Sequence, residues 1–206
     1  TARTILTSLV AMAATPVYAQ IEEVIVTAER REANLQSVPI AVTAISSQAL
    51  DDFQAVKTED LMRVVPGLKL VPVTANPSNF QVAMRGSSQV TSSLVVAESP
   101  VGFYVDDVYV ARLNGANAQL ADLERVEVLR GPQGTIYGRN TLAGAIKLVT
   151  TTPNDETRIR ASVAGGDYGR YQISASVGGA LGANGFYGSI SGLASGFDGY
   201  YTNLAD

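Results

Sequence analysis

Few residues in this chain could do covalent or metal chemistry. Its 206 residues include no cysteine and no histidine. That removes disulfides, thiol nucleophiles, serine–histidine triads and the usual zinc ligands. What remains is one glycine-punctuated run, residues 130–150, reading RGPQGTIYGRNTLAGAIKLVT. Gly131, Gly134, Gly138 and Gly144 would let the backbone bend sharply or approach a neighbour, and Pro132 stiffens the first turn. A phosphate cradle is the first chemistry to weigh. The run lacks the Gly-Lys-Ser/Thr ending of a P-loop and has no GxGxxG spacing. That reading fails. From chemistry alone the run remains a structural turn between two strands, and no catalytic residue, cofactor or metal is expected.

Composition narrows the class further. The chain is 46% hydrophobic and 17% charged, enough to bury a core. Its net charge of −4 includes only three lysines, Lys57, Lys69 and Lys147, a poor match to a phosphate backbone. Nucleic acid is not an expected partner. The absence of cysteine does not by itself decide the compartment.

The elements that would position the run begin after an export signal. Arg3 precedes an apolar stretch (Ile5, Leu6, Leu9, Val10, Met12) broken by Thr15-Pro16, and Val17-Tyr18-Ala19 suits signal peptidase, with cleavage before Gln20. A buried N-terminal helix is the alternative. The stretch is too short to span a bilayer as a helix. Because residue 1 is Thr rather than Met, a longer natural N-terminus is expected. Residues 20–37 are charged and poor in aromatics, with an apolar knot at Val24-Ile25-Val26, and read as a mobile segment that is extended when bound.

From Pro39 the texture is mixed α/β. Strands are expected at 40–45, 68–73, 81–85, 126–129 and 145–149. Helices are expected after caps at Ser47 and Thr58, the second ended by Pro66-Gly67, with a further helical turn at 122–124. Polar loops are expected at 76–79 and 87–93. A hairpin with an Asp106-Asp107 tip is expected at 101–110. Pro153-Asn154 marks a boundary. Beyond it, Ile159, Ala161 and Val163, then Tyr171, Ile173, Ala175 and Val177, alternate with polar residues; alternation weakens over 186–195. Segments of about ten residues with this dyad period are typical of outer-membrane barrel strands. A soluble sandwich with one wet face has the same pattern, and this stretch alone leaves both open.

An ordered set of segments then carries a resemblance. The run from Arg130, with its Arg-Gly-Pro and Tyr-Gly-Arg-Asn segments (Tyr137, Gly138, Arg139, Asn140), resembles the plug-domain motif of TonB-dependent outer-membrane receptors. Glu23-Val24-Ile25-Val26-Thr27-Ala28 resembles a TonB box, and Ser37-Val38-Pro39-Ile40 the start of the plug. Val65-Pro66-Gly67-Leu68, Met84-Arg85-Gly86, Val105-Asp106-Asp107-Val108 and the stretch 123–128 follow in the order and spacing of that family. The likeness runs from about residue 21 to residue 153.

The resemblance implies an α+β plug domain with a small mixed sheet over 38–153, followed over 154–206 by the first antiparallel strands of a transmembrane β-barrel. Family barrels close with roughly 22 strands, so the sequence reads as an N-terminal fragment. It implies active import of a scarce solute, most often an iron–siderophore complex, with no bond in the substrate broken. Implied partners are TonB with its inner-membrane energising complex, outer-membrane lipid and a siderophore or similar ligand; the implied location is the Gram-negative outer membrane. Residues 23–28 would pair with TonB as an added strand, which β-branched residues favour. An ordinary first plug strand is the alternative, and Val26→Pro would discriminate by removing a backbone donor. Arg85 and Arg130 match plug arginines that face barrel-wall carboxylates; both reaching water is the alternative. Substrate contacts are expected from outward loops, with Asn76, Asn79, Ser87, Ser88, Arg112 and Asn114 as candidates. A passive outer-membrane pore or adhesin, and a periplasmic binding module, are the competing classes.

Overall fold

The structure, a computed structural model, describes residues 25–27, 31, 33–55, 57–73, 76–88, 98–111, 122–182 and 185–200. The expected export signal, residues 112–121 with the candidates Arg112 and Asn114, and Glu23, Val24 and Ala28 lie outside the described residues.

The chain begins with a minimal antiparallel pair, β1 (Ile25–Val26) and β2 (Ala33–Asn34). The segment expected to be mobile and extended only when bound is thus extended at Ile25–Val26 and lies, through Val26 and Thr27, against the chain's own sheet. Strand β3 (Ala41–Ser46) leads into helix α1 (Ser47–Asp52). The cap is Ser46, one residue before the expected Ser47: its Oγ accepts the Ala49 N–H at 3.3 Å. A capping serine must itself stay extended, and Ser46 is the last residue that β3 holds in that state. The second expected helix is a tight 3-10 helix, Thr58–Arg63. Thr58 is its first residue rather than its cap, and the Asp60 carboxylate reaches back to the Lys57 N–H at 2.9 Å.

Strands β4 (Leu68–Val73), β5 (Asn76–Met84) and β6 (Ser87–Ser88) form an antiparallel arm. The expected loop at 76–79 is therefore strand. Ladder bonds come from the backbone, so polar residues do not end pairing where a partner strand continues, and Val73 opposes Asn76 beyond a register shift. Strands β7 (Val101–Val105) and β8 (Val108–Tyr109) form the acidic-tipped hairpin. Asp106 and Asp107 both hold positive φ, 46° and 64°, as a tight two-residue hairpin requires. Strand β9 (Leu123–Arg130) takes in two of the three residues expected to be a helical turn, Leu123 and Glu124, while Asp122 is a bend before it. Leu123 pairs with Thr150 beyond a register shift, which overrides the local helical preference. After the one-turn helix α2 (Gly134–Tyr137) comes β10 (Gly144–Thr150).

The central sheet has the order β3-β9-β10-β7-β8. It is mixed, because β10 runs parallel to β7 and antiparallel to β9. One face is sealed by Leu50 of α1, Leu61, Leu70, Phe80 and Val82 against Val126, Val128, Phe103 and Ile146. Phe80 meets Phe103 edge-on at 6.1 Å, a favoured aromatic geometry. The other face is covered by Val26, Leu35, Val38 and Tyr137 packed on Tyr104, Leu129 and Ala145.

Strands β11 (Arg158–Gly165), β12 (Tyr171–Ala180) and β13 (Tyr187–Gly196) form a separate antiparallel sheet that does not close on itself. Register resolves the weak alternation over 186–195. Ile159 opposes Val177, which opposes Ile190, and Val163 opposes Ile173, which opposes Ala194. These residues share one exposed face. Leu193 interrupts the pattern because it opposes Ser174 on the other face. From that face Arg160 reaches the plug, donating to the Leu123 carbonyl at 3.5 Å and to Ser47 Oγ at 3.4 Å.

Candidate functional site

Register across the central sheet aligns a row of side chains. Ala44 on β3 opposes Glu127 on β9, which opposes Lys147 on β10, which opposes Tyr104 on β7, which opposes Tyr109 on β8. Glu127 and Lys147 are 0% and 1% exposed. Charges are buried at such depth only when paired and hydrogen-bonded. Here the partners come from Thr27, 100 and more residues away in sequence.

The Thr27 N–H donates to Glu127 Oε1 at 2.8 Å, and its hydroxyl donates to the same oxygen at 3.1 Å. Lys147 Nζ donates to the Thr27 carbonyl at 3.0 Å and to Thr27 Oγ1 at 2.8 Å. Tyr137 donates its hydroxyl to the same carbonyl at 3.2 Å. Arg125 closes the cluster: its Nε lies 2.8 Å from Glu127 Oε1, its Nη2 lies 3.4 Å from Thr27 Oγ1, and it also pairs with Glu124. Lys147 further contacts Asp107 at 2.9 Å and Glu127 Oε2 at 3.9 Å. Tyr104 props the cluster from below by donating to the Tyr137 carbonyl at 2.9 Å. The arrangement grips a peptide backbone. It offers no nucleophile–base pair.

Of the expected TonB-box residues, Ile25, Val26 and Thr27 are thus placed, with Val26 buried and Ile25 about half exposed. Sequence reasoning missed Glu127, Lys147 and Arg125 as its partners. The available signal was a charge inside each of two apolar strands, Val126-Glu127-Val128 and Ile146-Lys147-Leu148.

Arg130 ends β9, and Arg85 lies beside the glycine that follows it. Arg85 follows β5 with φ 51°, and Gly131 follows Arg130 with φ 112°. A Cβ at Gly131 would lie 3.2 Å from Arg85 Nη1, so the guanidinium sits directly over this glycine. Arg130 Nε is buried with no hydrogen-bond partner among the described residues. Arg85 is exposed, whereas Arg130 is partly buried with one unmet donor, a group suited to an anionic partner.

The run 131–143 is a closed loop rather than an open cradle. Gly131 N–H donates to the Ala143 carbonyl at 2.8 Å and Gln133 N–H to the Thr141 carbonyl at 2.9 Å. Thr141 Oγ1 donates to the Gly138 carbonyl at 2.7 Å, Asn140 Nδ2 to Tyr109 Oη at 2.7 Å, and exposed Arg139 stands 4.0 Å from Glu98. Pro132 and Gly134 lie on its exposed side. Gly144 ends the loop at a close approach: a Cβ there would collide with the Leu129 carbonyl and Met84 Sδ. The described candidate ligand residues divide between two strands. Asn76 and Asn79 lie on β5 and Ser87 and Ser88 on β6. Among the described residues no cluster could hold a metal ion, and no helix is long and apolar enough to cross a membrane.

Comparison with known proteins gives this geometry a family. The chain is 32% identical over 184 residues to the pesticin receptor of Yersinia pestis, covering 88% of this chain and 26% of that protein. It is 26% identical over 176 residues to the vitamin B12 transporter BtuB of Photobacterium profundum, covering 85% of this chain and 28% of that protein. The chain therefore spans little more than a quarter of these relatives. Among solved structures, the ferric yersiniabactin uptake receptor FyuA of Yersinia pestis superposes with a TM-score of 0.67 at 29% identity, over 75% of this chain and 24% of that one. The ferripyoverdine receptor of the Pseudomonas aeruginosa outer membrane shares the fold, with a TM-score of 0.69 at 22% identity over 84% of this chain and 22% of that one. A family model described as the TonB-dependent receptor plug domain matches residues 34–145. Those residues take in the mixed sheet from β3 into β10, both arginines and the closed loop, and on that match the chain belongs to the TonB-dependent receptor plug-domain family.

Proposed function

We propose that this chain is the plug-bearing part of a TonB-dependent importer that carries a scarce, bulky solute across the outer membrane, an iron–siderophore complex foremost. The observation that carries this reading is the sequence of architectures: a family plug sheet followed by an antiparallel sheet with one apolar face exposed and no closure. Unpaired strand edges in lipid would cost several kcal/mol per group, so these strands belong to a larger barrel. The domain plan follows: residues 1–19 an export signal, 20–37 the segment with the TonB box, 38–153 the plug, and 154–206 the first barrel strands.

Within this plan residues 23–28 are the tether taken by TonB, which draws on the inner-membrane energising complex. Arg85 and Arg130 seat the plug against wall carboxylates supplied beyond this chain, in keeping with the place of Arg85 beside Gly131 and the unmet Arg130 donor. Ligand contact falls to the β5–β6 arm and to Arg112 and Asn114. Cobalamin is the second cargo, on the strength of the relative named as a vitamin B12 transporter.

The test is uptake of labelled ferric siderophores and cobalamin by cells carrying the full-length receptor, with and without TonB. Saturable uptake of at least one cargo, lost without TonB, is expected. Entry that continues undiminished without TonB would point to a passive pore and overturn the proposal.

A further inference from the structure

Thr27 has both main-chain hydrogen-bonding groups taken by side chains. Its N–H goes to Glu127, and its carbonyl is shared by Lys147 and Tyr137. An added strand needs those same groups free. The preceding residues are occupied as well, because Ile25 opposes Asn34 and Val26 opposes Ala33 on β2. A two-residue strand carries little register information of its own, and a slip of one residue would turn Val26 out of the core. The information lies instead in the charges. Glu127 Oε1 and Lys147 Nζ stand on adjacent strands at the positions where one residue offers a donor and an acceptor. Buried charge pairs are best attested as devices of registry rather than of net stability.

We propose that the buried Glu127–Lys147 pair, steadied by Arg125 and Tyr137, is a register-setting latch that withholds the N-terminal segment from TonB and returns it to one position after each pull. This inference rests on the reading of residues 23–28 as the tether. Docked, the latch competes with TonB for the Thr27 backbone. Undocked, Lys147 keeps Asp107 as its near partner, while Glu127 Oε1 loses both bonds from Thr27 and keeps Arg125. The binding-competent tether is then a minor state, and the apparent affinity for TonB falls by the fraction undocked.

The test uses the full-length receptor in outer-membrane vesicles. Residues 1–206 hold no cysteine; with any cysteine beyond them replaced by serine, alkylation of Val26→Cys reports opening of this segment, and Val82→Cys reports opening of the opposite face. Glu127→Gln and Lys147→Met each remove one latch charge at nearly constant volume. Each is expected to speed Val26→Cys alkylation about tenfold or more, leave Val82→Cys slow, and tighten binding of the soluble periplasmic domain of TonB by a similar factor. Hydrogen exchange of the main chain over 25–27 gives the same comparison without a substitution in the segment. An unchanged rate at residue 26 in both variants overturns the latch, as does a rise matched by Val82→Cys, which would mean general loosening. Faster opening with no gain in TonB binding supports the latch and overturns the tether reading instead.

Discussion

The two faces of the central sheet are built on different principles. Toward α1 and the β4–β5 arm the sheet buries aliphatic and aromatic side chains, with Phe80, Val82, Val126, Val128 and Ile146 at 1% exposure or less. Toward the N-terminal segment it presents Tyr104, Tyr137, Glu127 and Lys147, and the leading strand is held there by directed bonds and by the burial of Val26. Apolar burial is non-directional and grows with area, so the first face resists partial removal. Directed bonds fail one group at a time and re-form only in one register. On the proposed reading, a plug that stays folded while giving up its leading segment would need both kinds of face on one sheet.

The comparison breaks most severely if the apolar face is not the permanent one. Phe80→Ala removes a fully buried ring packed edge-on to Phe103. It is expected to lower the opening free energy of β9 and β10 by about 3–5 kcal/mol. Hydrogen exchange of those strands in the full receptor measures this, and a loss below about 1 kcal/mol would show that the face contributes little. Gly144→Ala comes next. Its Cβ would meet the Leu129 carbonyl and Met84 Sδ at φ 156°, and overpacking of this kind costs about 1–3 kcal/mol. The same exchange readout applies, with protection lost first where β10 pairs with β9.

Legibility in the sequence divides along the same line. The apolar face rests on periodicity and turn chemistry, which are local. The strand at 145–149, the Asp106-Asp107 hairpin and the glycine-bounded loop after Arg130 were readable because each is written within a few neighbouring residues. Local reading failed where a distant partner decided. Leu123 and Glu124 join β9 because β10 is there to pair with, Thr150 opposing Leu123. Asn76 continues a strand because β4 runs beside it. The site is the extreme case. Lys147 and Thr27 meet across 120 residues, and nothing near either residue announces the other. Charges flanked by apolar neighbours, Glu127 and Lys147, signal burial with a partner; the identity of that partner is fixed only by register.

Val26→Ala sharpens the comparison from the other side. Val26 is fully buried in the second cluster but belongs to a strand of two residues. Losing its methyl groups is expected to cost about 1–2 kcal/mol, expressed as faster exchange over 25–27 alone. Equal acceleration in β9 would mean that the cover and the core open as one unit, and the distinction between the faces would fail.

Tyr137→Phe has the smallest expected effect and asks how redundant the polar face is. The change removes one hydroxyl donor from the Thr27 carbonyl and leaves Lys147 Nζ on it at 3.0 Å. The ring keeps its edge-on contact with Tyr104 at 5.1 Å. Because the acceptor stays satisfied, the loss should sit at the low end for a hydrogen bond, about 0.5 kcal/mol, or roughly a twofold faster exchange over 25–27. A loss near 2 kcal/mol would mean that the hydroxyl, rather than the lysine, holds the segment. The weight of the contact would then shift from the charged row on β9 and β10 to the loop between them.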